Sequence, residues 1–351
     1  MNRRLRVGVI GTGFGATVQI PGFRGHSQVD VVAVASARPG KAREVADRFE
    51  VPQAFDDWRA LVESDLDLVS ITAPPALHHP MALAAVGRKR HVLCEKPMAL
   101  STAEAQAMTT AARAAGVTAV IDHELRVNPN RRRAAALIAD GYVGRPRHAV
   151  ITLVTGMRAD PNRAWDWWSD AEKGGGLLGA NGSHQVDLLR YWLGEISAVT
   201  GGVESFVDER PGPGGTGRRV TADDFTTFSL RFASGAVATV VLSAVAPRTV
   251  GPRIEVWGDR GALWLDEQEL LWGTRGGGAP QELTEPETLS PPRGLEYAPL
   301  WGLSFVRLVD VLVPAILDGG PVAPLATFED GLAVQRVLDA VRQASGRWQT
   351  L

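Results

Sequence analysis

The chain has 351 residues, a length that is too great for one ordinary hydrophobic core and that predicts two domains. Hydrophobic residues make up 45% and charged residues 22% of it, which is the profile of a soluble globular protein. A net charge of -2 excludes a strongly basic surface for nucleic acid, and the single cysteine excludes an internal disulfide, which favours a reducing compartment.

The first residues imitate an export signal, because Arg3 and Arg4 precede an apolar run. Glycines interrupt that run and no small-residue cleavage site follows it, so we expect a cytoplasmic protein. No unbroken apolar stretch reaches the roughly 18 residues that a membrane helix needs, and we expect no membrane partner.

The first third of the chain alternates strand-like and helical stretches. This rhythm predicts right-handed βαβ units and a parallel sheet with both faces buried, in a first domain over residues 1–122. The apolar β-rich runs are 5–11, 29–36, 66–72, 88–95 and 117–124, and the helical stretches between them are 40–49, 58–64, 80–86 and 101–115.

The pattern changes near residue 123. Two helices end at Gly141 and Gly194, and long β-like runs with hairpin turns at 234–235 and 259–261 follow them. Because strand follows strand without an intervening helix, we predict an open, mainly antiparallel sheet. The whole chain is then of the α/β class, with a second, α+β domain over residues 123–351 that binds substrate and forms oligomer contacts.

Two further features belong to the second part of the chain. Segments rich in glycine, proline and charge at 208–219 and 273–294 predict exposed loops. Two amphipathic helices at 303–317 and 328–344 close the chain, and the prediction allows them to pack back on the first domain.

The segment "GVIGTGFGA" joins the first strand to a helix and fits the pattern G-x-G-x-x-[G/A]. Gly11 permits the tight turn, Gly13 lets the backbone approach a pyrophosphate, and Ala16 allows helix and strand to pack closely. Thr12 and Phe14 lie in the same turn, where the helix N-terminus offers N–H groups to phosphates. We predict a bound dinucleotide; the alternative is a glycine turn without a ligand.

The end of the second strand bears on the choice between NAD and NADP. An acidic residue there would hydrogen-bond the ribose 2′-hydroxyl of NAD. This chain instead has Ser36, followed by Arg38 and Lys41, which suits a 2′-phosphate. We therefore favour NADP over NAD, the alternative being that both cations are solvated residues at a helix start.

The fourth strand-like run ends at Glu95-Lys96-Pro97. Ligands of open parallel sheets bind at the carboxyl ends of the strands, so Lys96 is expected to point into the crevice beside a nicotinamide. Desolvation and a nearby cofactor fit a lysine for proton transfer, and Glu95 can orient the ammonium group. Pro97 stiffens the turn, with a cis peptide bond as one possibility. The alternative is a surface lysine that caps a loop.

These motifs resemble the Gfo/Idh/MocA oxidoreductases (glucose–fructose oxidoreductase, inositol dehydrogenase and relatives), and the resemblance covers nearly the whole chain. It rests on the glycine turn, on "CEKP" at 94–97, on "GGG" at 174–176 and on "GSHQVDLLRYWLG" at 182–194. A segment with Thr72, Pro74 and His78 is similar to the T-P-x-x-x-H segment of the family.

The resemblance implies a Rossmann domain, a C-terminal domain with an open antiparallel sheet, and a bound nicotinamide cofactor. It implies hydride transfer at a secondary alcohol or ketone, commonly of a sugar or cyclitol. Lys96 then corresponds to the proton-transferring residue and His184 to the residue that contacts the reacting oxygen. Thr72, Pro74, His78 and Glu95 are expected beside the cofactor.

One departure from the family leaves alternatives open. Family members often carry an Asp four residues before the histidine, where this chain has Ala180, and the neighbouring Asn181 cannot take a proton. Besides the oxidoreductase, two other functions therefore remain: a redox-assisted glycoside-cleaving enzyme that retains its cofactor, and a non-catalytic NADP-binding regulator. Asp187, one turn after His184, is interpreted as structural.

Several polar and aromatic residues are candidates for contact with a small-molecule substrate. The alternatives for His123 and Arg126 are a salt bridge at the domain junction, and those for the tryptophans are core packing or a subunit contact. The candidates are His123, Arg126, Trp165, Trp168 and Asn181, together with Lys96 and His184.

Two partner predictions complete the sequence-based interpretation. The adjacent His78 and His79 point apart on a loop without an acidic or cysteine cluster, so we expect no metal site. The helices of the second domain suffice to cover only one face of its sheet, and alternating apolar residues such as those in "AVATVVLSAVA" at 236–246 are expected on the other face. An uncovered apolar face predicts a homodimer or homotetramer formed through it.

Overall fold

The computed structural model describes residues 3–296, 299–344 and 348–351. Its contacts divide the chain into two units. The first unit runs up to Asn128 and also includes Thr288–Leu332, and the second consists of Pro129–Glu287 and Ala333–Leu351.

The strands of the described residues fall into two large sheets and a small ribbon. In chain order they are β1 (Leu5–Ile10), β2 (Val29–Ala35), β3 (Gln53–Phe55), β4 (Leu68–Ile71), β5 (His91–Cys94), β6 (Ala119–Ile121), β7 (Pro146–Val154), β8 (Ile196–Glu204), β9 (Glu209–Pro211), β10 (Gly217–Arg219), β11 (Phe225–Phe232), β12 (Val237–Ser243), β13 (Val250–Gly258), β14 (Gly261–Leu265), β15 (Leu271–Arg275), β16 (Gln281–Glu282), β17 (Ala326–Thr327) and β18 (Gln349–Thr350).

The helices follow the predicted stretches closely, and short 3₁₀ and π-helical turns stand beside them. In chain order the helices are α1 (Ile20–Gly25), α2 (Lys41–Phe49), α3 (Trp58–Glu63), α4 (His78–Gly87), α5 (Thr102–Ala115), α6 (Pro129–Ala139), α7 (Ser183–Leu193), α8 (Pro299–Leu317) and α9 (Phe328–Gln343).

The first sheet has the order β17-β6-β5-β4-β1-β2-β3. Strands β1 to β6 pair in parallel, and the edge strand β17 pairs antiparallel with β6. This is the strand order of a Rossmann domain, in which the order reverses between β1 and β4. The predicted parallel sheet is confirmed, because the apolar runs are buried on both faces as parallel strands require.

The second sheet has nine strands in the order β16-β15-β14-β13-β7-β12-β11-β8-β18. Its pairs are antiparallel except for the central pair of β7 and β12. The predicted hairpins at 234–235 and 259–261 connect β11 to β12 and β13 to β14. The prediction of an open, mainly antiparallel sheet is confirmed.

One face of this second sheet packs on helices. Residues of α6, α7 and α9 form a common apolar core with alternate residues of the strands. In β12 the residues Ala238, Val240 and Leu242 are buried in that core, and Val237, at 42% exposure, lies on the other face. Most apolar residues of this strand thus serve the helix-covered face, and the prediction that they lie on the open face is wrong for Ala238, Val240 and Leu242.

Helix α8 differs from the sequence expectation in two respects. It begins at Pro299 and, by length and composition alone, is long and apolar enough to cross a membrane. Core helices of globular proteins pass the same test, and the side chains of Phe305, Leu308 and Leu312 are buried in the core of the first unit.

The segment at 208–219, predicted as a loop, contains the β9–β10 ribbon.

Candidate functional site

The predicted residues of the first unit gather at the carboxyl ends of its parallel strands. Gly11 follows β1, Ser36 follows β2, and Thr72 follows β4. Glu95 and Lys96 follow β5 directly. Because parallel strands all end at the same edge, four separate sequence motifs meet at the edge where open α/β sheets bind their ligands.

The glycine turn fits a dinucleotide. Gly11 has a φ of +112°, and a Cβ at this position would lie 2.2 Å from Thr72 Oγ1, so only glycine fits. A Cβ on Gly13 would meet no atom of residues 3–296, 299–344 or 348–351 within 4 Å, which leaves open space beside the backbone of the turn. Ala16 is buried against the strand as predicted. The turn therefore has the tight bend and the room that a pyrophosphate requires.

The residues predicted to select the cofactor form a hydrogen-bonded group. The Thr12 hydroxyl donates to Ser36 Oγ at 3.1 Å, and the Arg38 guanidinium donates to Thr12 Oγ1 at 3.0 Å. The backbone N–H of Arg38 donates to Ser36 Oγ at 3.3 Å. The Lys41 ammonium lies apart from this group and pairs with Glu44 at 2.5 Å. Arg38 is thus the cation that the structure joins to Ser36.

Lys96 stands at the end of β5 beside a buried carboxylate. Its Nζ atom lies 3.8 Å from Glu95 Oε2, and its side chain is 22% exposed. The backbone N–H of Lys96 also donates to Glu95 Oε2 at 3.3 Å. The Lys96–Pro97 peptide bond is cis, as the sequence had suggested. The ammonium group is therefore held by its neighbour and remains partly open to solvent.

Two residues behind Lys96, Gln19 and Asp122, were not among the predicted site residues. The Gln19 amide donates to Asp122 Oδ2 at 2.8 Å and to Glu95 Oε1 at 3.2 Å. Burial raises the pKa of Asp122 well above its usual range, and the neighbouring Glu95 raises it further. Burial also raises the pKa of Glu95, against the opposing effect of Lys96. The position of Asp122 directly after β6 was the one signal in the sequence that could have revealed it.

His78 connects two of the predicted motifs. Its Nε2 lies 2.8 Å from the carbonyl oxygen of Ala73, and its Nδ1 lies 2.9 Å from that of Pro97. The ring is fully buried, and burial lowers the pKa of His78. His78 therefore connects the turn at Thr72 and Pro74 to the cis-proline turn after Lys96.

Among the described residues, no group of three potential ligands could hold a metal ion.

His123 and Arg126 lie in a buried 3₁₀ turn after β6. Arg126 Nη1 lies 3.4 Å from Asp330 Oδ2, and the same carboxylate accepts the backbone N–H of Thr327 at 2.8 Å. His123 and Arg126 are each less than a tenth exposed. Arg126 therefore has a structural ion pair within the first unit, and substrate contact by either residue stays a prediction.

The predicted histidine of the second unit lies on α7, just after a π-helical turn at Leu178–Gly182. Asp223 fixes the backbone at the start of this turn, because its Oδ2 accepts the Leu178 N–H at 2.7 Å. A Cβ on Gly176, which has a φ of +111°, would lie 2.2 Å from Asp223 Oδ1. Burial raises the pKa of Asp223 to about 6. His184 and Asp187 are buried, and Asn181 lies within the π-helical turn.

The two candidate tryptophans have cations over their rings. The guanidinium of Arg218 lies 3.3 Å from the centre of the Trp165 ring, and Lys173 Nζ lies 5.4 Å from it. The guanidinium of Arg158 lies 4.2 Å from the centre of the Trp168 ring. These contacts support the packing interpretation, and stacking of either ring on a substrate stays a prediction.

A Rossmann sheet with a dinucleotide turn, followed by a domain with an open antiparallel sheet, defines the chain as an NAD-binding oxidoreductase. Residues 5–123 match the model of an oxidoreductase family with an NAD-binding Rossmann fold, and residues 131–264 match the GFO/IDH/MocA C-terminal domain. The chain belongs to the GFO/IDH/MocA oxidoreductase family, and the resemblance noted from its motifs is confirmed.

Similar proteins extend over the full chain. An uncharacterised oxidoreductase of Synechocystis is 33% identical over 97% of this chain and 94% of its own. Levoglucosan dehydrogenase of Pseudarthrobacter phenanthrenivorans is 28% identical over 98% and 97% of the two chains. A solved levoglucosan dehydrogenase in complex with NADH has a TM-score of 0.90 at 27% identity, covering 99% of each chain.

Proposed function

We propose that this oxidoreductase is an NADP-preferring dehydrogenase that interconverts a secondary alcohol and a ketone of a sugar, a cyclitol or a related polyol. The observation that carries the proposal is the position of Lys96, held by Glu95 at the carboxyl edge of the Rossmann sheet. The substrate class is supported by the similarity to levoglucosan dehydrogenase over nearly the full chain.

In this proposal the chain's own residues bind, orient and move a proton. The nicotinamide supplies or accepts the hydride when the cofactor is bound. The glycine turn holds the pyrophosphate, and Lys96 exchanges the proton of the reacting hydroxyl. His184 contacts the reacting oxygen, without an Asp at position 180 to share its proton.

A substrate panel tests the reaction. Purified protein is incubated with sugars, anhydrosugars and cyclitols in the presence of NADP or NAD, and the absorbance of the reduced nicotinamide is followed. We expect reduction with at least one polyol. Absence of turnover throughout the panel, despite measurable cofactor binding, would contradict the proposal.

The preference for NADP rests on the group formed by Thr12, Ser36 and Arg38. Replacing Arg38 by Ala is expected to weaken NADP binding selectively, by roughly 1–3 kcal/mol, because a charge-assisted bond to the 2′-phosphate is lost. Dissociation constants for both cofactors are measured at one salt concentration. Arg43→Ala removes the same charge from an exposed position of α2 and serves as the control. Tighter binding of NAD than of NADP by the wild type would refute the preference.

One observation favours a second candidate, a nucleotide-binding regulator without turnover. Ala180 stands where the family often has an Asp, so the usual acidic partner of His184 is absent from that position. The two candidates differ in one measurement. A regulator binds the cofactor, but none of the tested substrates leads to reduction of that cofactor. A glycoside-cleaving enzyme would instead release an aglycone without net change of the cofactor.

We also propose assembly through the open face of the second sheet. Val237, Val250 and Trp257 each expose between 38% and 43% of their surface, and the strands that carry them are neighbours of β7 in that sheet. Light scattering is expected to give a dimer or tetramer, and Val237→Lys is expected to shift it toward the monomer. A 37.5 kDa particle at all micromolar concentrations would contradict this proposal.

A further inference from the structure

A buried pair of carboxyl groups lies behind Lys96. The Gln19 side chain fixes the pair, because its amide N–H groups reach one oxygen of Asp122 and one of Glu95. Its own carbonyl oxygen accepts the Ser70 hydroxyl at 2.5 Å, so the amide cannot turn round without losing all three bonds. Gln19 and Ser70 have no exposed surface. The Gln19 amide therefore fixes the position of one oxygen of each carboxyl group.

The two carboxyl groups lie side by side, because Glu95 Oε1 and Asp122 Oδ2 both accept from the same Gln19 nitrogen. Two ionised carboxylates this close together in a buried place would repel each other, which favours a neutral acid at one of the two positions. Asp122 Oδ1 is buried and accepts no hydrogen bond from the described residues, which would be costly for a charged carboxylate. Glu95, by contrast, has the Lys96 ammonium at 3.8 Å to balance its charge.

We propose that Asp122 is a positioning residue: as a neutral carboxylic acid it hydrogen-bonds the Glu95 carboxylate, turns that carboxylate toward Lys96 and limits the buried pair to one negative charge. This inference deepens the proposed function, on which the role of Lys96 rests. It adds a residue that does not touch substrate but sets the charge of the carboxyl group beside the proton-transferring Lys96.

The charges that act on the pair agree with this assignment. Glu95 and Glu124 both raise the pKa of Asp122, and burial raises it most. Burial also raises the pKa of Glu95, but the Lys96 ammonium opposes that rise and favours the ionised form of Glu95. Cys94, also buried beside the pair, has a raised pKa and stays neutral. The proton of the pair therefore belongs on Asp122.

The first test needs no substrate. Asp122→Asn keeps the shape and neutrality of a protonated acid, and its stability is compared with that of the wild type by urea unfolding at a series of pH values. Because folded Asp122 has a raised pKa, its contribution is fully present below the unfolded pKa and is lost as pH rises through the folded pKa. The wild-type folding constant should therefore fall about tenfold per pH unit relative to Asp122→Asn above about pH 4.

Two controls sharpen this measurement. Asp47→Asn alters an exposed carboxylate of α2 and should show no such trend near neutral pH. The ¹³C carboxyl resonance of Asp122, assigned by its loss in Asp122→Asn, should stay at the position of a protonated acid between about pH 5 and 8. An ionised resonance in that range, or a constant ratio of folding constants, overturns the proposal.

The second test measures the effect on Lys96. Asp122→Asn should retain wild-type turnover within about threefold and the wild-type pH profile of kcat, because amide and neutral acid carry the same charge. Asp122→Ala leaves Glu95 without its partner and should lower kcat at least tenfold, with cofactor affinity unchanged. A profile shifted toward lower pH in Asp122→Asn would mean that a charge had been removed, and normal turnover in Asp122→Ala would mean that Asp122 positions nothing. Either result overturns the proposal, whereas failure of all substrates counts only against the proposed function.

Discussion

Two glycine-rich turns of this chain have the same local design and opposite surroundings. Each leads into a π-helical turn, Gly15–Gln19 in the first unit and Leu178–Gly182 in the second, and each is followed by a helix. A Cβ on Gly13 would lie in space that no atom of the described residues occupies within 4 Å, whereas the place of a Cβ on Gly176 is taken by Asp223. Gly13 thus leaves space that a ligand can occupy, whereas Gly176 leaves space that the Asp223 side chain fills.

The difference extends to the residues that follow. The first π-helical turn ends at Gln19, which binds the carboxyl pair behind Lys96. The second lies directly before His184, with no acid at position 180. Two turns of similar sequence thus precede different functional candidates, and variants at each can separate ligand binding, stability and chemistry.

The largest expected effect is that of Lys96→Met. This change keeps the length of the side chain and removes the ammonium group, so we expect a folded protein with NADP affinity within about tenfold of wild type and turnover at least roughly a hundredfold lower. Steady-state kinetics and cofactor titration are measured together. Lys89→Met, an exposed lysine at the end of α4, is the control. A loss of turnover that merely follows lost cofactor binding would assign Lys96 to binding instead of chemistry.

His184→Ala is expected to lower turnover in the same direction but less than Lys96→Met. The physical reason is that position 180 holds Ala, so no acid there shares the proton of His184. The two kcat values are compared under identical conditions. A larger loss at His184 than at Lys96 would transfer the proton-carrying role to the second unit.

Gly176→Ala should destabilise the fold. The backbone there has a φ of +111° and the added methyl would meet the Asp223 carboxyl group, which is fixed by the Leu178 N–H. We expect a loss of about 1–3 kcal/mol in the free energy of unfolding, measured by urea denaturation. Unchanged stability would show that Asp223 can move aside, and the contrast between the two turns would then disappear.

Gly13→Ala should have the smallest effect on the free energy of unfolding. In contrast to Gly176→Ala, it should act on cofactor binding. The new methyl meets nothing within 4 Å, so the free energy of unfolding should stay within about 0.5 kcal/mol of wild type. Cofactor affinity should fall roughly tenfold or more, because the backbone approaches a pyrophosphate at this glycine. Equal cofactor affinity in variant and wild type would mean that the open space is not the cofactor site.

Local sequence patterns were sufficient for much of the first unit. The apolar runs predicted five of its parallel strands, because strands buried on both faces are unbroken in hydrophobicity. The second unit was harder: strand β7, which forms the parallel centre of the sheet with β12, was not recognised. Only Ala149 and Ile151 of β7 are buried. The element before its parallel partner β12 is the strand β11 and not a helix, so the βαβ rhythm did not reveal the parallel pair.

The candidate site divides in the same way. Gly11, Ser36, Thr72 and Lys96 could be predicted because each directly follows a strand that the sequence shows. Gln19 could not, since it lies in the π-helical turn after the glycines and nothing local distinguishes it from a solvent-facing amide. Its partners Glu95 and Asp122 are 76 and 103 residues away in the chain.

The sequence by itself determined the Rossmann order of elements, the dinucleotide turn and the placement of Lys96 at a strand end, since these depend on short-range hydrophobicity and on glycine stereochemistry. Only the tertiary structure decided which ionisable groups are buried next to each other and which side chains are in contact. Asp122 has a raised pKa because the fold buries it beside Glu95, and Gly176 is required because Asp223, 47 residues later, fills the space beside it. Desolvation and close packing depend on neighbours that are distant in the chain, and a linear sequence does not show them.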